Sequence, residues 1–168
     1  MIGTAIWALR ALNCANWIVA GLFTLLLAML LIAPDLFRDT FAQALDGARP
    51  ADAALLWIKV VCAIVIPVAI AAHVIFTRLV AMLRDTQAGR AFTEVNARRL
   101  ATIAWALLAI NVADLAFGQV SVWASETSGE YFGWSLSITG WLAVPLLLIL
   151  ARIFKEGAAM RDDLEGTV

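Results

Sequence analysis

Four apolar runs decide what this chain can become. They extend from Ala11 to Ile32, Ala53 to Phe76, Leu100 to Val122 and Phe132 to Phe154. A helix needs roughly 20 mostly apolar residues to cross the hydrocarbon core of a bilayer. Backbone in lipid must also satisfy its own hydrogen bonds, which leaves the helix as the natural form of such a run. The pattern predicts an all-α, polytopic membrane protein: one domain over residues 1–168, arranged as a four-helix transmembrane bundle. Composition agrees, since 63% of residues are hydrophobic and 15% charged. A soluble domain would be about half apolar and a quarter charged.

Pro34 closes the first run, whereas Pro67 and Pro145 lie inside the second and fourth and are expected to kink them or free a carbonyl. Ala42-Gln43-Ala44 resembles a signal-peptide cleavage site, but it lies about ten residues beyond a run already too long for a signal sequence. The first run is therefore expected to stay as a span. Cys14 and Cys62 both fall in apolar runs and read as small core residues.

Orientation follows from lysine and arginine. Arg10, Arg78, Arg84, Arg90, Arg98, Arg99, Arg152, Lys155 and Arg161 fall on one side, and only Arg38, Arg49 and Lys59 on the other. This places both termini, an elbow at 77–99 and a tail at 155–168 in the cytoplasm, with the 33–52 and 123–131 loops outside. Trp57, Trp123, Tyr131 and Trp134 then gather at the outer interface and Trp7 near the inner one, where amphipathic rings settle.

The elbow contains the segment GRAFTEVNARRL, residues 89–100. Gly89 permits a turn, Thr93 is suited to cap a helix, and Glu94 follows in the first turn, where a carboxylate complements the helix dipole. Arg98 and Arg99 stand at headgroup level. These residues can serve solely as a capped, positively anchored helix start. The alternative is a docking face for a cytoplasmic protein or for anionic lipid, formed by Arg84, Gly89, Phe92, Thr93, Asn96, Arg98 and Arg99.

The pattern G-x-x-F-T-x-x-N-x-x-R-L, carried by Gly89, Phe92, Thr93, Asn96, Arg99 and Leu100, resembles the YoaS-like family of uncharacterised bacterial four-helix membrane proteins. The chain end is similar too, through Ile153-Phe154, Gly157, Arg161-Asp162 and Glu165-Gly166-Thr167-Val168. The resemblance covers the second half of the chain well and the first half only in its hydropathy. It implies no established activity. It also implies a gene neighbourhood with a small helix-turn-helix regulator, and hence a membrane-bound regulatory role with the elbow and tail as docking surfaces.

Polar residues inside spans face one another or a wet cavity. Lys59 and Asp114 fall at similar depths and are expected to pair, with Asn111 one turn deeper than Asp114 and Ser135, Ser137 and Thr139 at a comparable level. The expected result is a small outward-facing pocket, read either as a structural ion pair or as a ligand or ion site. Nearer the inner face, Asn13 or Asn16 is expected to hydrogen-bond His73, the chain's single histidine. Ala20, Thr24 and Ala28 form a stripe suited to close helix packing. In the outer loop, Leu36, Phe37, Phe41, Ala44 and Leu45 share one face of a short amphipathic helix, expected to end at Gly47 and Pro50 and to cover the outer end of the protein.

No nucleophile elbow, zinc motif, phosphate loop or dinucleotide fingerprint is present in the sequence, and the arginines come without the motifs of nucleic-acid binding. The expectation is a non-catalytic protein of a bacterial inner membrane, without cofactor or metal. Its partners would be the lipid bilayer and a cytoplasmic DNA-binding regulator, with no direct contact to nucleic acid and self-association left open. The competing expectation is a small-molecule or ion-binding transport accessory that uses the pocket at Lys59 and Asp114.

Overall fold

In the computed structural model the backbone is described for residues 2–44 and 48–165, and side chains for the same residues except 48, 49 and 161–165. Expectations resting on Leu45, Asp46 and Gly47, on the Arg49 side chain, or on tail side chains from Arg161 onward lie outside the described residues. The described residues form five helices: α1 (Ile2–Ile32), α2 (Pro34–Ala44), α3 (Ala48–Gln87), α4 (Glu94–Ser128) and α5 (Ile138–Glu165). No strand occurs among the described residues. The protein is all-α and polytopic, with four helices (α1, α3, α4 and α5) long and apolar enough to cross a membrane.

The helices are longer than the apolar runs. At about 1.5 Å per residue, the 40 residues of α3 rise about 60 Å, twice the hydrocarbon thickness. Helix propensity and hydrogen bonding continue past the point where the apolar run stops, so the ends project into headgroups and water. The distribution of apolar surface is that of a protein solvated by lipid. Only 11%, 17%, 22% and 11% of the most apolar windows of α1, α3, α4 and α5 are buried, and Leu12, Ile18, Leu22 and Leu25 of α1 are all more than half exposed. This is a multi-pass membrane protein in contact with the bilayer.

The chain divides into two compact units. Unit 1 comprises Met1–Asn16, Ile70–Asn111 and Ser137–Val168, and unit 2 comprises Trp17–Ala69 and Val112–Leu136. In unit 1, Leu100, Ile103 and Ala151 are buried, with Ile75, Leu79, Met82, Leu147 and Phe154 packed against them. In unit 2, Leu30, Leu55 and Cys62 form the cluster, and Phe37 and Phe41 of α2 pack onto it with Phe23, Leu26, Leu27 and Ile58. The amphipathic reading of α2 therefore holds at Phe37 and Phe41, while Leu36 points outward at 68% exposure. Pro34 begins α2, consistent with the preference for proline in a first helical turn, and Pro50 lies in the first turn of α3 instead of ending α2. Cys62 is buried as expected, but Cys14 is exposed. Ala20 is buried, whereas the Thr24 hydroxyl donates back to the Ala20 carbonyl at 2.7 Å.

The fourth apolar run departs most from expectation. Helix α5 begins at Ile138, and residues 131–137 are non-helical. Gly129, at φ 77°, ends α4 with its N–H donating to the Ser125 carbonyl at 3.0 Å. The chain then turns back onto unit 2. The Phe132 N–H donates to Ser125 Oγ at 2.9 Å, the Phe132 ring lies 4.8 Å from that of Trp57, and the Trp134 indole rests on Gly118. Trp57 in turn donates from Nε1 to Ser121 Oγ at 2.9 Å and packs 6.0 Å from Phe117. These contacts pack Phe132 and Trp134 without helix, while Tyr131 and Leu136 stay exposed. Ser137, the residue before α5, is of a type preferred at a helix N-cap.

A Cβ at residue 118 would overlap the six-membered ring of Trp134, whereas one at residue 21 would meet nothing within 4 Å. Gly118→Ala is expected to destabilise the protein by about 1–3 kcal/mol, the usual range for overpacking. Gly21→Ala should be neutral or stabilising, because alanine is the better helix former. Thermal melts of the two variants in mild detergent check this; equal melting temperatures would refute the Trp134 contact.

Candidate functional site

The elbow between α3 and α4 lies entirely in unit 1, and the polar groups from Asp85 to Arg99 are joined by a set of hydrogen bonds. Helix α3 ends in a Schellman motif: Gly89 N–H donates to the Thr86 carbonyl at 3.1 Å and Arg90 N–H to the Asp85 carbonyl at 2.9 Å. This geometry needs a left-handed residue just past the helix, and Gly89 supplies it at φ 73°. Helix α4 starts with Thr93 as N-cap, its Oγ1 accepting from the Asn96 N–H at 3.2 Å.

Between the two caps, Asn96 closes the loop. It is 1% exposed; its Nδ2 donates to the carbonyls of Arg90 at 3.2 Å and Ala91 at 3.0 Å, and its Oδ1 accepts from Arg99 Nη1 at 2.8 Å. Arg99 Nη1 also donates to Asp85, whose other oxygen accepts from Arg90 Nη2 at 3.3 Å. Phe92 packs 5.0 Å from Phe154 and over Gly157 of α5, and Leu100 is in the buried cluster. Each residue of the G-x-x-F-T-x-x-N-x-x-R-L pattern thus has a part in forming the turn.

Asp85 is the residue that sequence reading missed. A carboxylate in the last turn of a helix opposes the helix dipole and calls for nearby cations; that was the available signal. The apolar part of α3 ends at Phe76, so Asp85 lies outside the membrane-spanning stretch. The hydrogen bond from Arg99 and the charges of Arg99 and Arg90 hold its carboxyl below the usual carboxylate range, against the opposing effect of burial. Glu94, in the exposed first turn of α4, is lowered in the same way by Arg98, which donates to it at 2.7 Å.

Of the residues read as a docking face, Gly89, Thr93, Asn96 and Arg99 are thus engaged within the elbow, and Phe92, half exposed, packs on α5. Arg84 is exposed, and Arg98 is 75% exposed even though it pairs with Glu94. Beside Arg98, a shallow groove of about 280 Å³ has a floor of Ala97, Ala101 and Ala151 and a rim that includes Arg152 and Lys155. Arg152 is 81% exposed and pairs with Glu156 at 3.0 Å.

A family described as Protein of unknown function (DUF2975) matches residues 40–168. The chain belongs to that family. No curated protein and no solved structure matches the chain. The DUF2975 match takes in the whole elbow and accords with the uncharacterised family that the sequence pattern implied, while the YoaS-like label is not part of it. Helix α1 lies outside the matched range.

The remaining sequence-predicted residues of this DUF2975 member are less uniformly placed. His73 Nδ1 lies 2.9 Å from Asn13 Oδ1, as expected; a carboxamide oxygen only accepts, so the imidazole carries its proton on Nδ1. Asn16 is half-buried one turn along α1. Lys59 and Asp114 form no ion pair, which corrects the expected contact. Lys59 lies instead in a groove of unit 2, about 370 Å³ in volume, with Asp35, Arg38 and Asp52. In that groove Arg38 binds Asp52 through two nitrogens, at 2.9 and 3.1 Å. Asp52 precedes Lys59 by seven residues, two helical turns, and so shares its face of α3. Ser135 and Ser137 are exposed in the non-helical segment, and Thr139 is exposed in the first turn of α5. Asn111 is buried against Gly140: its Oδ1 occupies the place a Cβ at residue 140 would need, and its Nδ2 has no partner among the described residues.

Two outcomes test the elbow. Asn96→Ala would leave two part-buried carbonyls and one Arg99 donor without their partner, and should cost about 1–3 kcal/mol in a detergent melt. For Asp85, the folded-state pKa is depressed, so its stabilisation is present above the unfolded value of about 3.9 and lost as pH falls through the folded value. Asp85→Asn should therefore melt below wild type at neutral pH, and the gap should close below about pH 4. A gap that persists undiminished in acid would show that charge on Asp85 is not the source of the effect.

Proposed function

We propose that this protein is a non-catalytic, multi-pass protein of a bacterial inner membrane that acts as a regulatory docking partner for a small cytoplasmic helix-turn-helix protein. The observation that carries the reading is the division of labour at the elbow. Asp85, Asn96 and Arg99 complete one another's hydrogen bonds, which fixes the turn, and Arg98 stands outward beside them, with Arg152 and Lys155 of α5 lining the same groove. Arg98, Arg152 and Lys155 rim one apolar groove there. A rim of three cations and one carboxylate, Glu94, over small apolar side chains suits an acidic protein surface, because complementary charge steers association. The excess of arginine and lysine on this side of the spans favours the cytoplasm as its location.

The test is affinity capture of the tagged protein from native membranes, beside an Arg98→Gln/Arg152→Gln/Lys155→Gln variant of matched melting temperature. Capture of one helix-turn-helix protein by the unaltered chain, lost from the variant and weakened by salt, is the expected result. Equal capture by both, or none by either, would remove the docking role.

A further inference from the structure

A second groove in unit 1, about 320 Å³ in volume, is formed by α1 and α3 on the same side of the spans as the elbow. Its apolar floor comes from Leu9, Phe76 and Val80, and it is flanked by Arg10 and Arg84. The Asn13–His73 hydrogen bond joins the two helices at its membrane end. Arg10 immediately precedes the apolar run of α1, and Arg84 follows that of α3 by about two turns. The groove therefore crosses the depth at which hydrocarbon gives way to headgroups. Trp7, one turn before Arg10, is 73% exposed, as an aromatic at that interface would be. Both arginines are exposed, and neither is paired with a carboxylate among the described residues, unlike Arg90, Arg98, Arg99 and Arg152.

We propose that this groove binds one anionic phospholipid, with its phosphate between Arg10 and Arg84 and an acyl chain along Leu9, Phe76 and Val80. The chemistry selects the occupant. Two uncompensated guanidinium groups call for an anion, and guanidinium is suited to bidentate phosphate binding. An apolar floor running from the headgroup level towards the spans calls for an alkyl chain attached to that anion. No carboxylate among the described residues lines the groove, so the ammonium of a zwitterionic headgroup would find no partner there and the second guanidinium would stay uncompensated. Basic pockets between spanning helices on the cytoplasmic side are a general solution for anionic headgroups. The assignment does not depend on the docking role, which uses other cations.

The experiment is native mass spectrometry of the full chain in mild detergent, titrated separately with phosphatidylglycerol and phosphatidylcholine. Phosphatidylglycerol should be retained as a single adduct and phosphatidylcholine should not. Arg10→Gln/Arg84→Gln should reduce that retention at least about tenfold, without lowering the lipid-free melting temperature. Arg84→Gln alone, at an exposed position, should weaken it several-fold and serves if the double variant folds poorly. Retention unchanged in the variants, or equal retention of both lipids, would overturn the proposal. Displacement of phosphatidylglycerol by an equal concentration of inorganic phosphate would also overturn it, in favour of a soluble phosphate ligand.

Discussion

The elbow depends on a carboxylate placed where helix electrostatics disfavour it. Asp85 is in the last turn of α3, at the negative end of the helix, and Arg99 and Arg90 compensate it. For Arg99 to reach Asp85, α4 must begin close to the end of α3, and the loop between them must be tight. Tightness leaves the carbonyls of Arg90 and Ala91 facing Asn96 with no helical N–H to donate to them. Asn96, with two amide donors on one nitrogen and an acceptor beside it, answers both carbonyls and fixes Arg99 at once. Gly89 and Thr93 follow from the same geometry, one as the left-handed residue a sharp stop requires and the other as the cap a sharp start requires. Buried Asn96 at the centre of this network is stabilising only when its partners satisfy it, which is why so many residues within one dozen are specified together.

Much of the fold was legible because lipid imposes a simple rule on sequence. An apolar run of sufficient length has one common solution, so the existence and order of the spanning helices followed from hydropathy. The rule says nothing about where helix begins inside an apolar stretch. Phe132 and Trp134 satisfy hydropathy equally well as non-helical chain packed on Trp57 and Gly118, and the start of α5 at Ile138 could only be found from those contacts. The punctuation was present in Gly129, Gly133 and Ser137, but the apolar signal outweighed it.

The Lys59–Asp114 expectation failed for a related reason. Depth along a span is one coordinate, and pairing needs a second, the direction around each helix. Lys59 and Asp114 matched in depth alone. The periodicity of α3 already placed Asp52, Leu55 and Leu56 on the same face as Lys59, and these are the residues that line its groove. By contrast, the Asn13–His73 bond was legible because few hydrogen-bonding side chains occur in the inner halves of these spans. The elbow motif was legible as a pattern but not as a network, because Asp85 lies before Gly89 and belongs to no motif.

What fills the interior distinguishes this protein from a soluble helical domain. The buried residues are dominated by alanine, among them Ala20, Ala51, Ala53, Ala54, Ala69, Ala71, Ala97, Ala104, Ala124, Ala151 and Ala158, while leucine, isoleucine and tryptophan crowd the exposed surface. In water such an arrangement would forfeit most of the hydrophobic effect. In lipid, tails are as apolar as leucine, and sequestering large side chains gains little. Helices there associate where small side chains allow close backbone approach, and a few hydrogen bonds fix the register. Trp57 to Ser121 in unit 2 and His73 to Asn13 in unit 1 are bonds of that kind. The polar residues of this chain therefore contribute specificity out of proportion to their number, because the apolar majority, facing lipid, is nearly indifferent to where each helix sits.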